Sequence, residues 1–133
     1  MKIETVILVE PVPKARARTV RTRSGAVFSY TPAKTAHAEN LIRDRVMAMG
    51  QHFDANIPVK LTATFYREKP KSTPKKVTLP ITRPDWDNYA KLLTDALEKY
   101  VYSNDSQITT AIIKKRFGSP PRIELILEDD CLA

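Results

Sequence analysis

Asp85 and Asp87 are separated by a single residue in the segment Arg83-Pro84-Asp85-Trp86-Asp87-Asn88-Tyr89, Lys91 follows one turn later, and a third aspartate, Asp105, stands beyond the next apolar stretch. Carboxylates in this number suit Mg2+, which takes hard oxygen ligands, usually one or two carboxylates per ion, and fills its other positions with water and substrate phosphate. At the start of a helix, the two aspartates would share their site with the free N–H groups and the positive end of the helix dipole, both of which favour anions. Lys91 could form an ordinary i,i+4 pair with Asp87, or it could stabilise charge growing on a phosphate or its leaving oxygen. The competing readings are structural: an aspartate that caps the helix and an Asp105 that makes a turn. Trp86, the one tryptophan, is expected to be buried beside a sheet, with stacking on an unpaired base as the alternative.

Other chemistries lack their residues. There is no glycine-rich phosphate loop, no G-x-S-x-G elbow and no H-E-x-x-H pair, and the chain holds only three glycines. His37 and His52 have no partner histidine at ligand spacing and receive no role. Cys131 is the single cysteine, so neither an intrachain disulfide nor a four-cysteine metal site can form, which fits a reducing, cytoplasmic setting.

The elements that must position these residues follow from periodicity. Ile3 to Val9 is an apolar run ended by Pro11 and Pro13, as expected of a first strand. Thr31-Pro32 opens a helix whose stripe is Ala38, Leu41, Ile42, Val46 and Met49, ended by Gly50. Val59, Leu61, Ala63 and Phe65 alternate as a strand. Asp85-Trp86-Asp87 opens a second helix with Tyr89, Leu92, Leu93, Ala96, Leu97 and Tyr100 on its apolar side. A strand runs from Ile108 to about Phe117, and Ile123, Leu125 and Leu127 alternate in the last one. The order β-α-β-α-β-β predicts an α+β fold, a small mixed β-sheet packed with two helices, in a single domain spanning residues 1–133.

Twenty-two Lys and Arg against fifteen Asp and Glu give a net charge of +7 and a pI near 9.6, the footprint of a polyanion binder. The excess is concentrated. Lys14, Arg16, Arg18, Arg21 and Arg23 form a basic arm at 14–23, and Lys69, Lys71, Lys75 and Lys76 lie in a proline-rich basic loop at 67–80 that reads as mobile. On an extended backbone Lys14, Arg16 and Arg18 would line one side and could track phosphates. A basic nucleic-acid-binding module without chemistry is the alternative to an enzyme, and a metal nuclease acting on flaps or plain duplex is a second.

The ordered set Arg83-x-Asp85-x-Asp87-Asn88-x-x-Lys91, then Asp95-Ala96-Leu97, then Asn104-Asp105-Ser106-Gln107-Ile108, resembles the signature of the RusA family of Holliday-junction resolvases. Pro11 to Arg18 resembles that family's P-x-P-K-x-R-x-R arm. The resemblance implies an endodeoxyribonuclease that resolves four-way DNA by paired phosphodiester hydrolysis in recombination and repair. It implies Mg2+ as cofactor, replaceable by Mn2+, a C2 homodimer, catalytic and metal-binding roles for Asp85, Asp87 and Asp105, and a catalytic role for Lys91. Asn104 departs from the family pattern, in which an aspartate often precedes the last carboxylate.

Overall fold

The computed structural model describes residues 1–15, 18–30 and 32–131, and of residues 18 and 28–30 the backbone alone. Strict alternation builds the sheet: β1 (Lys2–Ile7) turns Ile3, Thr5 and Ile7 inward and exposes the residues between them. β4 (Val59–Arg67) buries Val59, Leu61, Ala63 and Phe65, and β6 (Arg122–Asp129) buries Ile123, Leu125 and Leu127. With β5 (Ile108–Phe117) they form a four-stranded sheet in the order β1-β6-β4-β5. β6 runs antiparallel to both neighbours, with Ile3 opposite Leu127 and Leu61 opposite Leu127 on its two sides. β4 and β5 are parallel, and a parallel pair needs a crossover, which α2 (Trp86–Leu97) supplies. The sheet is therefore mixed, as predicted.

One feature is absent from the predicted order. Residues on either side of Ser24-Gly25 pair as a hairpin, β2 (Arg18–Arg21) with β3 (Val27–Tyr30), separate from the main sheet. Gly25 takes φ of 87°, the left-handed region that glycine enters without steric cost. The outer part of the predicted arm is thus the first strand and turn of a hairpin. Arg16, Thr31 and the side chain of Arg18 lie outside what is described.

Both helices cover one face of the sheet. α1 (Ala33–Met47) buries Ala38, Ile42 and Val46 but also Thr35 and Glu39, while Leu41 and Met49 pack only at the edge of the core. α2 buries Tyr89, Leu92, Leu93, Ala96 and Leu97, and Tyr100 falls beyond its end and is exposed. Burying a large apolar side chain of this kind contributes about 1.5–3 kcal/mol, so α2 is held mainly by this stripe. None of the described helices is long and apolar enough to cross a membrane.

Candidate active site

The two aspartates at the start of α2 are exposed. Asp85 is the N-cap residue, with extended backbone at φ −69° and ψ 152°, and its carbonyl accepts from the amides of Asn88 and Tyr89. Its carboxylate makes no capping bond. Neither the Asp85 nor the Asp87 side chain has a hydrogen bond or ion pair among the described residues. Capping, the structural alternative, therefore leaves both carboxylates unexplained. Beside them opens a cavity of about 390 Å3 lined by Pro13, Arg83, Pro84, Asp85 and Asn88.

Trp86 corrects an expectation: it is 60% exposed. The inward position over the sheet is taken by Tyr89, whose ring stacks on Phe65 with centroids 5.0 Å apart and planes 9° from parallel. The indole stands free between the two aspartates in sequence.

Asp105 begins a short 3-10 turn, Asp105–Gln107, and Gln107 holds that turn in place. Its carbonyl oxygen accepts from the amides of Ser103 at 2.8 Å and Asn104 at 3.1 Å, and its amide donates to the carbonyls of Asp54 and Ile57. Asn104 accepts from the Ser106 amide through its side chain at 2.9 Å. Asparagine at the position before the carboxylate therefore serves as a cap. The turn carries Asp105 to the far end of α2, where Asp95, Glu98 and Asp105 each bring an oxygen within 4.8 Å of the others. Beneath them Tyr102 donates to the carbonyl of Thr94 at 3.0 Å, and its hydroxyl pKa is pushed far up by burial first and then by Asp105, Glu98 and Asp95.

Lys91 joins this second group. Its ammonium lies 3.2 Å from Asp95, one turn ahead, and no pair with Asp87 forms among the described residues. The hydrogen bond to Asp95 raises its pKa above the usual 10.5, helped by the charge of Asp95 and, more weakly, of Asp105 and Glu98. Asp85 and Asp87 are not part of the cluster around Asp105. Asp95 stands eight positions after Asp87, about 12 Å along the helix axis, so the acidic groups form two stations along α2, with Lys91 paired to the second.

The base of the arm docks against this helix. The Lys14 amide donates to Asn88 Oδ1 at 2.6 Å. Its ammonium pairs with Glu39 of α1 and lies 3.4 Å from Asp95 Oδ2. Arg43 completes the buried Glu39 at 3.1 Å and donates to the carbonyl of Ala96. Sequence reasoning gave Asp95 and Gln107 no role beyond membership of a motif, and it passed over Glu39 and Glu98. A further signal existed only for Asp95, which stands four residues after Lys91 just as Asp87 stands four before it.

The remaining cations are more open. Arg21 and Arg23 are exposed on the hairpin, as are Lys71, Lys75 and Lys76 in the loop. Lys69 is half-buried, donating to the Lys75 carbonyl at 3.3 Å and lying over the Phe117 ring at 5.8 Å. Arg67 and Lys115 anchor the end of the loop through Thr82 and the carbonyls of Thr82 and Arg83.

Comparison with known proteins gives the family of the chain. The family model for Endodeoxyribonuclease RusA matches residues 9–128. YqaN of Bacillus subtilis (strain 168) is 30% identical over 96% of both chains. The crossover junction endodeoxyribonuclease rusA of Lactococcus phage r1t is 38% identical over 55% of this chain and 56% of its own length.

Proposed function

The chain belongs to the RusA family of endodeoxyribonucleases, and from that premise we propose that it is a Mg2+-dependent resolvase of four-way DNA junctions, acting as one nuclease domain across residues 1–133. Membership in an enzyme family sets aside the reading as a binding module without chemistry. The observation that carries the finer proposal is the state of Asp85 and Asp87: exposed, at the positive end of α2, and free of any capping bond.

Hydrolysis of a phosphodiester adds water across one P–O bond and must stabilise charge on the phosphate and on the leaving oxygen. Bound Mg2+ supplies Lewis acidity and a more acidic water. Asp85 and Asp87 would hold one such ion at the first station of α2, and Asp105, at the other station, would hold a separate one. Lys91 is charged throughout the neutral range, as a lysine whose pKa is held above 10.5 must be, and clamps negative charge beside Asp95. Asp95 is already engaged by two ammonium groups, which makes it a weaker candidate ligand than the free aspartates. Arg16, Arg18, Arg21 and Arg23 of the arm, and Lys69, Lys71, Lys75 and Lys76 of the loop, are proposed phosphate contacts.

Resolution needs paired nicks in two strands of a junction with two-fold symmetry when folded, which calls for a C2 homodimer with one such site per subunit. The test is Asp87→Asn. It is expected to bind a mobile four-way junction in Ca2+ with wild-type affinity and to lose at least about 100-fold in cleavage in Mg2+. Undiminished cleavage refutes the assignment, and equal wild-type rates on junction and linear duplex refute the resolvase reading while sparing the nuclease.

A further inference from the structure

Lys14 belongs, by sequence, to the basic arm and to its contacts with phosphate. Its surroundings say otherwise. The side chain is only 23% exposed, and its ammonium sits between two carboxylates from different helices, Glu39 of α1 and Asp95 of α2. Glu39 is buried, with 8% of its side chain exposed, so it requires cationic partners, and it has Lys14 and Arg43. A buried carboxylate stripped of a partner is costly, and a cation committed to it is not free to follow a DNA backbone. The main chain adds a second grip: the Lys14 amide donates to Asn88, next to Asp87, and the Ala15 amide donates to Thr35 Oγ1 at 3.3 Å.

The two oxygens of Asp95 are divided between two lysines. Oδ2 faces Lys14 at 3.4 Å and Oδ1 faces Lys91 at 3.2 Å. Lys91 itself is an exposed, flexible side chain with 61% of its surface in solvent, and nothing but Asp95 fixes its ammonium among the described residues. Fixing the rotamer of Asp95 from behind thus fixes where Lys91 points.

We infer that Lys14 is a positioning residue of the nuclease site, which bridges Glu39 and Asp95 and so holds the carboxylate that orients Lys91 beside Asp105. The inference rests on the proposed role of Lys91 in hydrolysis. Supporting groups of this kind typically carry a 10- to 100-fold effect without touching the substrate, and small displacements of a reacting group cost about as much.

The test compares wild type, Lys14→Gln, Lys14→Arg, Asp95→Asn and Lys91→Gln. Three quantities are read: affinity for a mobile four-way junction in Ca2+ across a salt series, single-turnover cleavage in Mg2+, and the NMR signal of the Lys91 ε-methylene in metal-free protein. Lys14→Gln is expected to keep the wild-type affinity and salt slope and to cleave about 10- to 100-fold more slowly. Its Lys91 ε-protons should collapse from two resolved shifts to one averaged shift. Lys14→Arg, which keeps the charge, should recover most of the rate. Asp95→Asn should reproduce both the slow cleavage and the averaged signal, which keeps the test valid if Lys14→Gln folds poorly. Adding Lys14→Gln to Lys91→Gln should slow cleavage no further, because the two changes act on one interaction. A salt slope flattened by about one unit, with an unmoved Lys91 signal, overturns the inference in favour of a direct phosphate-binding role. Wild-type cleavage by Lys91→Gln overturns instead the role of Lys91 on which it rests.

Discussion

At the scale of single residues, the site is defined by which charges have partners. Asp85 and Asp87 have none among the described residues, whereas Lys91 and Asp95 hold each other at 3.2 Å. The raised pKa of Lys91 has a sign that can be checked. A cation whose folded pKa lies above its unfolded value stabilises the fold fully below that unfolded value, near 10.5, and loses the contribution as pH climbs through the folded one. Lys91 titration should therefore leave cleavage untouched between pH 6 and about 9. Asp95→Asn, which removes the charge of Asp95 and leaves only a neutral acceptor in its place, should lower the Lys91 midpoint in an NMR titration; an unchanged midpoint would contradict the pairing. Asp130 runs the opposite way. Hydrogen bonds from Thr109 and Thr110 lower its pKa, so its contribution is present above the ordinary carboxylate value and fades as pH falls below it. Trp86 gives the simplest check, since an indole 60% exposed should emit at nearly the same long wavelength before and after unfolding.

At the scale of elements, α2 is the part that matters most, because it carries both acidic stations and is also the crossover between two parallel strands. Leu92 and Leu93 are fully buried, and replacing either with Ala should cost about 2–5 kcal/mol in denaturant unfolding. A second sensitive point is Gly118, where an added Cβ would sit 2.5 Å from the Tyr66 ring. Gly118→Ala should destabilise by about 1–3 kcal/mol, and a change within about 0.5 kcal/mol would show that Tyr66 yields freely. Six of the eight regular strands and helices were legible, because alternation and helical spacing are properties of neighbouring residues. The hairpin was not: Arg18–Arg21 and Val27–Tyr30 are too short to show a period, and in the first of them two arginines dominate the local pattern. Among candidate site residues, Asp85, Asp87, Lys91 and Asp105 were marked by type and spacing. The link of Lys14 with Asp95 and Glu39 was not, since ion pairs between residues 14, 39 and 95 leave no mark on local sequence. The outward placement of Trp86 also depends on a distant residue, Phe65, which stacks with Tyr89 in the inward place.

Across the whole molecule, a net charge of +7 sets a field that salt weakens over about 8 Å at physiological ionic strength. Neutralising a cation that touches phosphate should flatten the slope of log affinity against log salt by about one unit. Replacing Arg21, Arg23, Lys71, Lys75 or Lys76, all exposed, should do so one by one; an unaltered slope would return that residue to the solvated surface. The proposed two-fold assembly predicts twice the 15.1 kDa chain mass in sedimentation at micromolar concentration, and a monomer there would remove it. One further property follows from the strand order. The strand between β1 and β4 is the last one made, β6, so β1 has no neighbour in the sheet until residues 122–129 exist. A chain still emerging from the ribosome has the proposed site residues already synthesised but no completed sheet on which to mount them. Nascent chains halted at residue 121 should be degraded rapidly by a protease that spares the finished protein, and the enzyme would gain its activity only once translation of its last strand is done.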